Sequence, residues 1–286
     1  MEIRINDKVL DVNLEKEDTL GEVLAGLEEW LSNSGHRISE LKIDGQTIAS
    51  SMIEDAFKKD IKTIKNLDIY TNVIAELCAA SLLNVIEDIK EFESLDFEGK
   101  TKYSGKWRQT ATAHFISAEM PDLYAFCCNV FSNGDVTPQT LLSIVEEIQR
   151  EVNDPKKELL HIEPILNEIC IRLTDLPLDI QTGKDARAAQ TIQIFSAITE
   201  KIFRIIKQLD TQGYLSHDFP EAEDKSLSEL MSGFGNVLRE LLDAYEKNDS
   251  VLVGDLTEYE ASPKIKELYK AILDNVNSKE KLKEEK

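Results

Sequence analysis

The sequence predicts an α+β protein: a small strand-bearing domain over residues 1–70, a large, mostly α-helical bundle over 71–277, and a charged tail at 278–286 that frays. Two periodicities carry this reading. Through the first 70 residues apolar side chains alternate with polar ones, the spacing of a strand with one buried face. Farther on, five stretches place apolar residues at alternating three- and four-residue steps, a stripe that must pack against another helix.

Ile3 and Ile5 alternate with polar neighbours, Asn6-Asp7-Lys8 turns the chain, and Leu10, Val12 and Leu14 alternate again, so a β-hairpin comes first. Thr19 followed three residues later by Glu22 forms a capping box. Its helix buries Leu20, Val23, Leu24, Leu27 and either Leu31 or Trp30, and stops near Gly35. Ile38, Leu41 and Ile43 lead into Asp44-Gly45, a hairpin turn from which Gln46-Thr47-Ile48 returns. After a short polar helical stretch, Leu67-Asp68-Ile69-Tyr70 closes the sheet. This element order resembles the β-grasp, or ubiquitin-like, fold, closest to its small sulfur-carrier and TGS-like branches. The resemblance implies a recognition module. The carriers' loading chemistry needs a C-terminal Gly-Gly, whereas here Tyr70 runs straight into a helix beginning near Asn72 and the last residues are KEKLKEEK.

Thr71 can cap a helix to about Glu93 that carries the seam Ala75, Cys78, Leu82, Val85, Ile89 and Phe92. A loop with Asp96, Glu98, Gly99 and Gly105 follows, and Trp107 to Phe131 reads as a helix pair or one helix kinked at Pro121. Thr137-Pro138 and Asp154-Pro155 each set a capping residue before a proline at the first helical position. They open the helices bearing Leu141, Val145, Ile148 and Val152, then Leu159, Ile162, Leu166, Ile169 and Leu173, the second ended by Leu176-Pro177. The longest helix, about Lys184 to Asp210, carries Phe195, Ile198, Ile202, Ile205 and Leu209, with Glu200 and Lys201 off its stripe. A polar connector from Gly213 to Glu223 leads to helices at about Ser226–Lys247, bearing Leu227, Leu230, Phe234, Val237 and Leu241, and at Pro263–Asn275. Six to eight helices are expected in this bundle.

The net charge of −21, from 33 basic and 54 acidic residues, repels phosphate backbones and anionic lipid, which argues against nucleic-acid and membrane-surface binding. No apolar run approaches the roughly 18 residues of a membrane span, and MEIRINDKVL lacks the pattern of a secretory signal. Cys78, Cys127, Cys128 and Cys170 show no CxxC spacing and lie in apolar helical segments, as buried thiols of a reducing compartment do. A cytoplasmic location is expected.

Several motifs are incomplete. Glu158 and His161 match the Glu-x-x-His step of di-iron bundles, but none of His36, His114 and His217 has a glutamate three residues earlier. Gly183-Lys184 lacks the glycine five residues before Gly183 and the preceding strand of a phosphate loop; Leu178 and Ile180 read as packing a non-helical corner there. Ser232 lies outside a Gly-x-Ser-x-Gly frame, and Gly233 and Gly235 read as sites of close helix approach. From Asp249, Gly254 and Glu260 stand at the sixth and twelfth places of a calcium loop, yet Val251 and Val253 fill places that need oxygen ligands. Val251, Leu252 and Leu256 read instead as packing a short helix across the bundle end.

One basic island remains in this acidic chain: Lys100, Lys102, Lys106 and Arg108, interleaved with Tyr103 and Trp107. Cations beside aromatics can bind an acidic partner by charge and stacking. The function expected is a non-enzymatic cytoplasmic adaptor or scaffold acting through protein–protein interaction, without a cofactor or resident metal. Its partner is a protein, an acidic one by complementarity, and the helix seams also allow self-association. The alternative is a metal- or small-ligand-binding helical bundle with Glu158 and His161 as ligands.

Overall fold

A computed structural model describes residues 1–11, 17–48, 52–215 and 226–284. It is α+β, as its sequence predicts, and divides into two compact units, Met1–Gln149 and Arg150–Lys286. The expected domain boundary at 70/71 falls inside the first unit, where the sheet is followed by further helices.

In the first unit, β1 (Glu2–Ile5), β2 (Lys8–Leu10), α1 (Leu20–Asn33), β3 (His36–Ile43), β4 (Gln46–Thr47), α2 (Ile53–Phe57) and β5 (Asn66–Val73) follow in order. The sheet order is β2-β1-β5-β3-β4, with β1 parallel to β5 and the other neighbours antiparallel. Both hairpin turns need left-handed backbone, supplied by Asn6 and Asp7 in one and Asp44 and Gly45 in the other. The Thr19–Glu22 capping box is present, and α1 covers the sheet with Leu20, Val23, Leu24 and Leu27 against Ile3, Leu67 and Ile69. Leu31 is buried and Trp30 exposed. Val12 and Leu14 lie outside the described residues.

β5 runs into α3 (Ile74–Ser94) with no intervening loop, and the Ile74 N–H donates to the Gly35 carbonyl at 2.8 Å. The helix therefore starts at Ile74 and not near Asn72, without a side-chain cap from Thr71. Then come α4 (Phe97–Trp107), α5 (Ala111–Glu119), α6 (Pro121–Phe131) and α7 (Pro138–Asn153). The expected loop after Glu93 is thus helical: Asp96 accepts the Gly99 N–H at 2.8 Å, a side-chain cap that offsets the poor helix propensity of Gly99 and Gly105. Pro121 opens α6, so Trp107 to Phe131 contains a helix pair. Arg37 of β3 pairs with Glu119 of α5 at 3.0 Å, a second tie between sheet and helices.

The second unit contains α8 (Pro155–Gln181), α9 (Asp185–Thr211), α10 (Leu227–Glu246), α11 (Ser250–Asp255) and α12 (Ser262–Glu284), the last two joined by a π-helical turn over Leu256–Ala261. Pro177 does not end α8, which passes through both Pro164 and Pro177. Each proline removes one backbone bond, but the buried seam from Leu159 to Leu176 outweighs that loss. Leu178 accordingly sits in the last helical turn, exposed, and not in a packed corner. Pro263 likewise cannot donate to the ladder, and the π-helical turn just before it absorbs the mismatch. The seams of α9 and α10 face Ile265, Leu268 and Ile272 of α12 in one core. Ten α-helices beyond the sheet exceed the expected six to eight, among the described residues. The tail expected to fray from 278 is helical to Glu284; His217 and most of the 213–223 connector lie outside the described residues.

Two glycine assignments change. An added Cβ at Gly233 or Gly235 meets nothing within 4 Å, so no helix approaches closely there. Close approach occurs at Gly254, where a Cβ would lie 3.1 Å from Pro177 Cγ. Of the short-helix residues, Val253 and Leu256 are buried while Val251 and Leu252 are exposed.

Candidate functional site: a pocket between α3 and α4

The basic island falls on α4 and separates by helical angle. Tyr103 and Trp107, four residues apart, point inward, and Trp107 is 2 % exposed. Trp107 stacks on Tyr124 with centroids 5.7 Å apart and tilts against Phe131 at 4.9 Å, while Tyr103 and Phe92 meet at 5.5 Å. The two island aromatics are core anchors as well as pocket walls. Lys102 and Lys106 share the rim, Lys100 lies over the Phe92 ring at 5.4 Å, and Arg108 follows the helix end, exposed. Lys102 pairs with Glu98 one turn back at 2.5 Å; Lys106 and Arg108 have no ion-pair partner among the described residues.

Between α3 and α4 lies a pocket of about 250 Å³. Asp88 and Glu91 of α3 line one side, Lys102 and Lys106 of α4 the other, with Trp107 and Leu95 between. The Trp107 indole N–H donates to Asp88 Oδ2 at 2.8 Å. The Tyr103 hydroxyl faces three acceptors: the Asp88 carbonyl at 3.2 Å, Asp88 Oδ1 at 3.4 Å and Glu91 Oε2 at 3.3 Å. Burial pushes the Asp88 carboxyl above its usual range, the Trp107 hydrogen bond opposes this, and the Glu91 charge reinforces it. Burial, then the Asp88 and Glu91 charges, push the Tyr103 hydroxyl well up, so it stays a donor.

Sequence reasoning found the lysines and aromatics of this site but not Asp88 and Glu91, which look like ordinary acids of an acidic helix. It also missed Phe97, 86 % exposed at the start of α4. The available signal was its position directly after the capping Asp96, off every apolar seam.

The alternative pair, Glu158 and His161, meets on α8 with Nδ1 3.5 Å from Oε1. Glu158 belongs to a buried ion cluster, not to a metal-ligand set. Lys201 Nζ lies 3.0 Å from Glu158 Oε2 and 3.9 Å from Glu151 Oε1, and Arg204 grips fully buried Glu151 through two hydrogen bonds of 2.8 and 2.9 Å. A metal at Glu158 would have to displace the Lys201 ammonium. Among the described residues no group of three or more His, Cys, Asp or Glu is placed to hold a metal ion. Burial alone would raise the Glu158 carboxyl, but the Lys201 hydrogen bond and charge more than reverse it, leaving it below the usual range. Lys201, expected in solvent, is thus a central cation of the second unit. Lys184 and Arg187, at the Gly183 corner, both turn onto buried Asp179, at 3.6 and 2.9 Å, which leaves them engaged rather than poised for phosphate.

Two family models match separate segments of the chain. Residues 1–72 match the family described as the TP0873 N-terminal domain, and residues 157–271 match a domain of unknown function, DUF8042. The chain resembles an uncharacterized protein of Treponema pallidum (strain Nichols), 21 % identical over 273 residues, 96 % of each chain. No solved structure matches. The residues lining the α3–α4 pocket lie between the two matched segments.

Proposed function

We propose that the protein is a non-catalytic adaptor that engages an acidic protein segment through the solvent face of α4. Phe97 carries this reading. It is the most exposed large apolar side chain among the described residues and stands on the same short helix as Lys100, Lys102 and Lys106, with Arg108 next after it. An aromatic anchor beside cations is the composition of an interface hot spot. Against a net charge of −21 these cations favour an acidic partner and a salt-sensitive association. The strand order and the parallel pairing of β1 with β5 support reading the sheet as a β-grasp-like recognition module. Within the same reading the protein works in the cytoplasm, where its four free cysteines stay reduced.

A photo-crosslinking residue at position 97, introduced in the native cell, is expected to trap one acidic protein. With that protein purified, Phe97→Ala and the triple Lys102→Gln, Lys106→Gln, Arg108→Gln variant should each weaken binding roughly tenfold or more. The melting temperature should hardly move, because exposed charges add little to folding. Unchanged affinity in both variants would remove α4 as the recognition element.

A further inference from the structure

The two walls of the α3–α4 pocket carry opposite charges that do not meet. Neither Lys102 nor Lys106 lies within 4.0 Å of the Asp88 or Glu91 carboxylates among the described residues; Lys102 turns to Glu98 instead. The acidic wall is also short of donors. Tyr103 has one hydroxyl proton for three acceptors, and Trp107 serves only Asp88 Oδ2, so at least one oxygen of the Asp88 and Glu91 carboxylates has no protein donor among the described residues. Across the gap, the Lys106 ammonium has three donors and no protein acceptor among the described residues. Between them Leu95 and the Trp107 indole offer an apolar bed, and a cavity of about 250 Å³ suits only a small molecule.

We propose that this pocket is a binding site for a small zwitterion of the α-amino acid class. Its ammonium group bonds Glu91 and Asp88, its carboxylate bonds Lys106, and its side chain lies toward Leu95 and Trp107. The arrangement shares Lys106 with the adaptor reading, but Phe97, which carries that reading, does not line the pocket.

The test is titration of the full-length protein with the common amino acids one by one, by calorimetry and by Trp107 emission in a Trp30→Phe background. At least one should bind saturably, with methylamine or acetate alone binding at least roughly tenfold more weakly. Glu91→Gln and Lys106→Gln, both at exposed positions, should each lower that affinity about tenfold, while Phe97→Ala leaves it unchanged. Heat and emission that stay flat for every amino acid up to about 1 mM would overturn the proposal. So would acetate binding as tightly as the amino acid, which indicates a simple anion site, or binding indifferent to Glu91 and Lys106. Loss of amino-acid binding in Phe97→Ala would place the ligand on the adaptor face instead.

Discussion

The indole N–H of Trp107 meets Asp88 Oδ2 at 2.8 Å, tying an aromatic in the floor of the first unit to a half-buried carboxylate on the neighbouring helix. Trp107 therefore acts in both folding and pocket shape. Trp107→Ala is expected to cost about 3–5 kcal/mol through the cavity it leaves. Trp107→Phe keeps most of the ring but strips Asp88 Oδ2 of its donor, for about 1–3 kcal/mol. Urea midpoints followed by circular dichroism separate the two, and a neutral Trp107→Phe would mean that water or Tyr103 replaces the indole.

Asp88 also sets a pH dependence of definite sign. Its native carboxyl, raised above the usual range, holds a proton that the unfolded chain has already released, so stability falls as pH rises through that interval. Glu158 has the opposite slope: lowered in the native state, it contributes stability above the usual carboxylate range that is lost as pH falls through its native value. Asp88→Asn should remove the decline and Glu158→Gln the acid-side loss. Denaturation midpoints compared between about pH 3 and 7 read both. Parallel profiles for wild type and Asp88→Asn would show that Asp88 titrates normally.

In the second unit, Arg204→Met removes both guanidinium hydrogen bonds from buried Glu151, and a loss of about 3–5 kcal/mol is expected. Lys201→Met should cost a similar amount, because it removes the cation 3.0 Å from buried Glu158 and 3.9 Å from Glu151. Glu200→Ala, on the next residue but in solvent, should change stability by less than about 0.5 kcal/mol. A Lys201→Met variant as stable as Glu200→Ala would mean that water reaches the cluster.

Glycine substitutions give a contrast within one core. Gly233→Ala and Gly235→Ala meet open space in the middle of α10 and should stabilise by up to about 1 kcal/mol each. Gly254→Ala gains the same helix propensity but drives its methyl to 3.1 Å from Pro177, with a net loss of about 1 kcal/mol expected. Thermal melts of the three variants decide it; a stabilised Gly254→Ala would show that α11 can shift away from α8.

What was legible in the sequence follows from how each signal arises. Seams such as Leu159–Ile162–Leu166–Ile169–Leu173 repeat over several turns, and all five of these residues are buried. The hairpin turn at Asp44-Gly45 was readable because so few residue types tolerate that backbone. Helix ends at Pro177 and around Gly99 were misread, because there tertiary burial and a single capping carboxylate override local propensity. The ion cluster of Glu151, Glu158, Lys201 and Arg204 was invisible for a different reason. Its members are separated by up to 53 positions, and no periodicity distinguishes a buried glutamate from a solvated one. The lysines of the α3–α4 pocket stood out because cations are scarce here, while their acidic counterparts had nothing to stand out against.

The loopless passage from β5 into α3 gives the first unit a drive shaft. A strand held on both edges cannot twist without turning the helix it becomes, and Asp88 lies roughly 21 Å along that helix at 1.5 Å per residue. The orientation that the sheet imposes on Ile74 is therefore passed, turn by turn, to the wall on which Asp88 and Glu91 stand.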